Sequence, residues 1–296
     1  MYEPTQLLLQ LQQQAPVTAY CIYLFFGLSI GSFLNVVVHR LPIMLKQEWQ
    51  SEAKLLLDVQ VPGKQESKRY NLVTPRSACP ACGQPISSIH NIPLISYLLL
   101  KGRCASCQAR IALRYPLLEL VTGVATVTVI SVLGPTMQGM LACLLTYSLI
   151  ALSQIDFETK LLPDDITLPI LWLGLIANMY DTFTDLQSAV IGTVLGYLAL
   201  WTVYQGFRVI TGKEGMGFGD FKLLALLGAW LGWQALTFII LMSSIIGTLV
   251  GVTLILLGRD RNDAIPFGPY LAGAGWISLL WGDILLSRYL QVLNVS

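Results

Sequence analysis

Four cysteines form the clearest candidate metal site of the chain. They stand in two pairs, Cys79-Pro-Ala-Cys82 and Cys104-Ala-Ser-Cys107, with 21 residues between the pairs. This spacing is typical of a zinc ribbon, in which each pair supplies two thiolates to one tetrahedral ion. Because four protein ligands complete the coordination of zinc, we expect a structural ion and not a catalytic one.

Two other interpretations of these pairs are structural disulfides and a redox-active C-x-x-C motif. A reducing cytoplasm disfavours the disulfides. The remaining cysteines, Cys21 and Cys143, lie inside apolar segments. We expect both to be small packing residues.

Two aspartates, Asp156 and Asp220, stand at the ends of apolar segments. Asp156 ends one segment in Ser-Gln-Ile-Asp, and Asp220 opens another in Gly-Phe-Gly-Asp. Taken alone, Asp220 could be a helix N-cap and Asp156 a polar residue that ends a membrane span. Two carboxylates that share one proton can activate water and protonate a leaving amine. The presence of both aspartates therefore predicts an aspartic peptidase.

Three further carboxylates accompany apolar segments. Asp164 and Asp165 follow Pro163, where carboxylates cap free N–H groups and favour the positive end of a helix; we expect structural roles for both. Glu119 lies a few residues into another apolar segment. It could pair with Arg114 or line a cavity, and the sequence leaves these two roles open.

The elements that carry these residues are expected to be membrane helices. The chain is 54% hydrophobic and 12% charged, with a mean hydropathy of +0.64, whereas soluble domains carry about 25% charged residues. Residues 20–38, 137–155 and 186–207 contain no charged side chain. Each of these segments is close to the ~20 residues that cross a bilayer as a helix.

Eight spans account for the apolar sequence. Residues 223–258 carry no charge over 36 residues, and we divide them into two helices at the turn-like 232–234. Residues 115–133, 162–180 and 267–286 complete the set. These runs lack the alternation that a membrane β-strand requires. The predicted fold class is therefore an all-α polytopic membrane protein with about eight transmembrane helices and a small cytoplasmic zinc-binding domain.

Basic residues indicate the orientation of these spans. If the N-terminus lies outside and the chain crosses the membrane eight times, 17 of the 18 Lys and Arg residues fall on one side and only Arg288 falls on the other. Basic residues in short loops mark the cytoplasmic side. We therefore expect Asp156, Asp220 and the cysteine pairs to face the cytoplasm. The first 16 residues lack the basic region of a secretory signal peptide.

The polar sequence is concentrated in one region, which suggests three domains. Residues 1–38 hold the N-terminus and first transmembrane helix, and residues 39–114 form the cytoplasmic zinc-binding domain, a possible methyltransferase region. Residues 115–296 form a seven-helix transmembrane aspartic peptidase domain. The charge-rich segment 48–70 matches no motif. No internal repeat is visible, which disfavours a transporter built from duplicated halves.

Taken together, these motifs resemble the type 4 prepilin leader peptidase family over most of the chain. The resemblance is carried by residues 31–42, the two C-x-x-C pairs, Asp156 with Leu162-Pro163-Asp164, residues 211–220 and residues 265–270. This ordered set is far more specific than Gly-x-Gly-Asp, which presenilin-type and preflagellin peptidases share. Those relatives are not expected to carry the cysteine domain.

The resemblance implies a bifunctional enzyme of the bacterial inner membrane with a cytoplasmic active site. Its substrates would be type IV prepilins and type II secretion pseudopilins, with no nucleic acid as a partner. A short basic leader would be cleaved after glycine, and the new N-terminal residue would be N-methylated with S-adenosylmethionine as donor. The catalytic aspartates of the family fall on Asp156 and Asp220. Its zinc ligands fall on Cys79, Cys82, Cys104 and Cys107.

The methyl-donor site is not indicated by any motif, since the chain lacks a glycine-rich strand-to-helix turn. Residues 31–42 and the zinc domain are the expected region for this activity. A membrane scaffold with a zinc ribbon is an alternative, but it gives Asp156 and Asp220 no role. A proton-coupled transporter would place carboxylates near the middle of the membrane and not at one face.

Overall fold

The computed structural model describes residues 4–57, 70–213, 215–260 and 265–292. Helices dominate, and no strand forms among these residues, which confirms the all-α prediction. The helices are α1 (Pro4–Gln14), α2 (Pro16–Leu56), α3 (Ile95–Leu99), α4 (Arg114–Leu133), α5 (Met137–Thr159), α6 (Asp164–Asn178), α7 (Leu186–Thr211), α8 (Phe218–Leu231), α9 (Trp233–Leu256) and α10 (Gly268–Val292).

Each of the eight apolar segments forms a helix. Five helices in the described part of the chain, α2, α4, α5, α7 and α9, are long and apolar enough to cross a membrane. Helices α6 and α8 have 15 and 14 residues. At 1.5 Å per residue they are about 22 and 21 Å long, which is shorter than the ~30 Å hydrocarbon core. The five helices indicate a multi-pass membrane protein, and the count of eight spans stays a prediction.

The chain forms two compact units, Met1–Pro135 and Thr136–Ser296. In unit 1, α4 packs along α2, which is 41 residues long and continues through Pro42. The polar region that follows residue 38 therefore begins as an extension of the first predicted span. Of the charge-rich segment 48–70, residues 58–69 lie outside the described residues.

Helix α8 forms the centre of unit 2. All of its residues from 223 to 230 are buried, together with Asp220 and Phe221. Helices α6, α7, α9 and α10 pack around it, and α5 packs against α10 and α6. Gly232 makes the turn from α8 to α9 with φ of +80°, a conformation that favours glycine. The division of residues 223–258 into two helices is therefore confirmed.

Candidate active site and metal centre

Asp156 lies near the end of α5 and is buried, with 6% of its surface exposed. Its Oδ2 atom accepts a hydrogen bond from the backbone N–H of Gly268 at 3.0 Å. Gly268 is the first residue of α10. Farther along the same helices, the indole N–H of Trp276 donates to the hydroxyl of Thr146 at 3.1 Å. The start of α10 therefore holds the Asp156 carboxylate through a backbone group.

Asp220 lies in the first turn of α8 and is 8% exposed. The preceding residue, Gly219, packs tightly against Leu162, which precedes α6. A Cβ atom on Gly219 would lie 2.7 Å from the Cβ of Leu162, closer than real Cβ contacts allow. Glycine at this position therefore lets the start of α8 approach the chain before α6.

Leu162 lies between the surroundings of the two aspartates. Its Cδ2 atom is 3.3 Å from the position that a Cβ would take on Gly268, whose N–H binds Asp156. Its Cβ packs on Gly219, next to Asp220. The two carboxylates interact electrostatically as like charges. The structure thus brings Asp156 and Asp220 together in one buried site of unit 2.

The start of α8 is joined to the start of α6 by an ion pair. The ammonium nitrogen of Lys222 lies 2.7 Å from both carboxylate oxygens of Asp164. Asp164 therefore contacts another helix, which agrees with the structural role expected for it, but it does not cap its own helix. The N-cap of α6 is Pro163, and no side chain caps the helix; Asp164 and Asp165 lie in its first turn.

The end of α8 is also anchored to α6. The indole N–H of Trp230 donates to the carbonyl oxygen of Ile170 at 2.8 Å. The amide nitrogen of Asn178 donates to the carbonyl oxygen of Ala229 at 2.9 Å. Both Trp230 and Asn178 are fully buried. With its two ends tied to α6, the helix that carries Asp220 has a fixed position within unit 2.

This arrangement suits proton transfer. Two buried carboxylates of like charge favour a state in which they share one proton. The ionised member can then remove a proton from water, while the protonated member can donate to a carbonyl oxygen or a leaving amine. Such a site can carry out hydrolysis without a nucleophilic side chain.

Each C-x-x-C pair occupies a similar turn in unit 1. The backbone N–H groups of Cys79 and Cys104 each donate to the carbonyl oxygen five residues later, at 2.9 Å in both turns. The residue after the second cysteine has a positive φ in each turn, 70° at Gly83 and 59° at Gln108. The two turns therefore present their thiols in the same way.

The four thiols converge and fit a tetrahedral metal ion. The sulfur atoms of Cys79, Cys82, Cys104 and Cys107 all lie within 4.8 Å of one another. The Cys79 and Cys107 sulfurs are 3.8 Å apart, and zinc with sulfur ligands at about 2.3 Å requires about 3.8 Å between them. All four are free cysteines. The backbone N–H groups of Cys107 and Ser106 lower the pKa of Cys104 to about 6, which favours the thiolate there. The pKa of Cys107 is raised to about 11: the backbone N–H of Ala109 lowers it, but the neighbouring Cys82 thiol and burial raise it by more.

Several residues of the aspartate site have partners that the sequence does not reveal. Residues 162–164 and 265–270 stand out as motif segments, but nothing in them indicates that Gly268 binds Asp156 or that Leu162 packs on Gly219. Lys222 lies two residues after Asp220, which is the one visible sign of its place near the site.

Comparison with known proteins assigns both units to described families. The profile "Bacterial Peptidase A24 N-terminal domain" matches residues 25–133, and the profile "Type IV leader peptidase family" matches residues 143–252. No solved structure gives a significant match.

Several curated proteins named "Prepilin leader peptidase/N-methyltransferase" are similar to this chain. That of Aeromonas salmonicida is 52% identical over 288 residues, which cover 97% of this chain and 99% of the relative. That of Pseudomonas aeruginosa is 53% identical over 269 residues, covering 90% and 92%. That of Burkholderia pseudomallei is 46% identical over 257 residues, covering 86% and 83%.

Proposed function

Because the chain belongs to the type IV leader peptidase family, we propose that it cleaves the leaders of type IV prepilins and type II secretion pseudopilins after glycine. It then N-methylates the new N-terminal residue with S-adenosylmethionine. The family resemblance seen in the sequence is confirmed, and the chain is an enzyme of the prepilin peptidase and N-methyltransferase kind. The peptidase proposal rests on one observation: Asp156 and Asp220 are both buried, and Leu162 packs between their surroundings.

Asp156 and Asp220 are proposed to act as the catalytic pair. The ionised carboxyl takes a proton from water as the oxygen attacks the scissile carbonyl carbon. The protonated carboxyl stabilises the developing oxyanion, and a proton then passes to the leaving amine as the C–N bond breaks. The N–H of Gly268 helps to hold Asp156 in place for this exchange.

Asparagine variants test this assignment without changing side-chain size. We expect Asp156→Asn and Asp220→Asn, like the corresponding alanine variants, to lose cleavage by at least about 10²-fold, because acid–base groups contribute 10²–10⁴-fold. Asp165→Asn is the matched control, since Asp165 is an exposed carboxylate in the first turn of α6. Cleavage of purified prepilin is followed by the shift to a shorter product. Parental cleavage by either dyad variant would show that the assignment is wrong.

The four cysteines are proposed to hold one structural zinc ion in the cytoplasmic domain of residues 39–114. The ion would join the two C-x-x-C turns and contribute folding free energy to a small domain. The distances among the sulfur atoms support this role. In the proposed division of the chain, residues 1–38 form the N-terminal part and residues 115–296 form the peptidase domain.

The methyl donor supplies an electrophilic methyl group on a sulfonium. Among the described residues no strand forms, so a glycine-rich strand-to-helix turn for the donor is not present there. Unit 1, with residues 31–42 and the cysteine turns, is the proposed region for methylation. The protein is proposed to lie in the bacterial inner membrane with its active site toward the cytoplasm, since 17 of 18 basic residues fall on that side of the predicted topology.

A further inference from the structure

Glu119 is a buried carboxylate in unit 1 that the proposed peptidase reaction does not use. It lies in the second turn of α4 and is 9% exposed. Its Oε2 atom accepts the backbone N–H of Leu94 at 2.9 Å, and the side chain of Ser32 lies near the carboxylate. An ionisable side chain within a membrane helix is energetically costly and is therefore a candidate for function.

The packing of α2 against α4 fixes the position of this carboxylate. A Cβ on Gly31 would lie 2.7 Å from the Cα of Glu119, so glycine permits the two backbones to approach closely. One turn away, the side-chain amide of Asn35 donates to the carbonyl oxygen of Tyr115 at 3.1 Å. The close approach places Ser32 beside Glu119 and concentrates polar groups along this helix contact.

The known donors to Glu119 leave part of its hydrogen-bonding capacity unused. An ionised carboxylate has about four lone-pair sites. Among the described residues, the neutral N–H of Leu94 donates to it and the neutral hydroxyl of Ser32 lies nearby. Neither group balances a negative charge. A ligand that carries both a positive charge and N–H donors would complete the site, and an ammonium group has both properties.

Given the proposed methyltransferase activity, on which this inference rests, we propose that Glu119 binds the α-ammonium of the cleaved substrate and accepts its proton before methylation. An α-amino group has a pKa of about 8, so most of it is protonated at neutral pH. A protonated amine has no lone pair with which to attack. A carboxylate held at this position would both attract the ammonium and remove the proton.

The chemical step balances in atoms and charge. One N–H bond of the ammonium breaks, and its proton moves to a Glu119 oxygen. The freed nitrogen lone pair forms the N–C bond to the methyl group while the C–S bond breaks, and the sulfonium becomes a neutral thioether. The product is a secondary ammonium. One proton is therefore released overall, and Glu119 passes it to water.

Glu119→Gln is the informative variant because its amide oxygen can still accept the Leu94 N–H. Parent and variant are given a pilin already cleaved and bearing a free N-terminus, and N-methylation is measured by mass spectrometry. We expect the variant to methylate about 10²–10⁴-fold more slowly and to gain rate as pH rises through about 8, where the amine loses its own proton. Prepilin cleavage and bound zinc are expected to remain at the parental level. Thr128→Val, at a half-buried position of α4 two turns beyond Glu119, is the control and should behave like the parent.

A binding experiment without the methyl donor separates ammonium recognition from turnover. The mature N-terminal peptide is compared with its N-acetylated form, and we expect the parent to prefer the free amine and Glu119→Gln to lose that preference. Parental methylation rate and pH profile in the variant would overturn the inference. Joint loss of cleavage, methylation and zinc would also overturn it, because that outcome indicates a structural role. If the parent itself fails to methylate, the proposed function fails instead.

Discussion

Gly196→Ala adds one methyl group to the face of α7 that packs against α8, the helix that carries Asp220. A Cβ on Gly196 would lie 2.7 Å from the carbonyl oxygen of Leu224 and 2.9 Å from its carbonyl carbon. Ordinary contacts begin at 3.4 Å, so the helices must separate by about 0.7 Å (3.4 minus 2.7) or distort. The opposing atoms are backbone and cannot rotate away. Leu224 lies one helical turn after Asp220, so the displacement reaches the first turn of α8.

Gly206→Ala provides the matched control in the same helix. Gly206 is exposed, and a Cβ there would meet no atom within 4 Å. Both substitutions gain the ~0.5–1 kcal/mol of stability that alanine has over glycine inside a helix. The difference between the two variants in free energy of unfolding therefore isolates the cost of overpacking, which is about 1–3 kcal/mol.

The rate of prepilin cleavage by Gly196→Ala is expected to fall because the first turn of α8 is displaced. A misplacement of 1 Å at a catalytic group can cost about 10²-fold in rate, so a shift of somewhat less than 1 Å should cost roughly 10-fold or more. The assay compares prepilin cleavage and thermal unfolding of both variants in the same detergent. If Gly196→Ala cleaves and unfolds like Gly206→Ala, the close contact of α7 and α8 does not position Asp220.

Two further predictions concern the ion pair and the cysteine cluster. Lys222→Met and Asp164→Asn should each reduce the rate of prepilin cleavage. The double variant should lose less than the sum of the two single losses, because a partly exposed ion pair couples by about 0.2–1 kcal/mol. Additive losses in this double-mutant cycle would show that the pair does not act as a unit. Cys79→Ser should remove the metal and lower the thermal stability of unit 1, because three remaining thiolates hold zinc poorly, whereas Cys143→Ala should keep the metal. Elemental analysis of the purified proteins measures one zinc per chain or none, and a metal-free parent with two disulfides would contradict the prediction.

Apolar runs made most of the helical architecture predictable. Residues 137–155 and 186–207 are free of charge, and α5 and α7 follow them closely. The continuation of α2 to Leu56 could not be predicted in this way, because the apolar run ends at residue 38. Pro42 also suggests an interruption, although the helix passes through it. Helix formation there does not depend on continuous hydrophobicity, so the pattern that reveals a span gives no signal.

Residue types revealed the candidate sites, but their partners depend on tertiary structure. Asp156, Asp220 and the cysteine pairs are unusual enough in their sequence context to be selected without coordinates. The hydrogen bond from Gly268 to Asp156 joins residues 112 positions apart, and the Lys222–Asp164 pair spans 58 positions. Periodicity describes one helix at a time. It cannot specify which backbone N–H reaches a carboxylate on another helix.

Because α6 and α8 are short, the polar groups of the aspartate site lie at the starts of these two helices. Helices of about 22 and 21 Å cannot both span ~30 Å of hydrocarbon with each end in the aqueous phase unless the bilayer thins. The N–H groups of Ile166 and Asp220 donate to the carbonyl oxygens of Pro163 and Gly217, but the earlier N–H groups of each first turn have no side-chain cap. These donors need water or a polar ligand. The Lys222–Asp164 pair holds the two starts side by side next to Asp220.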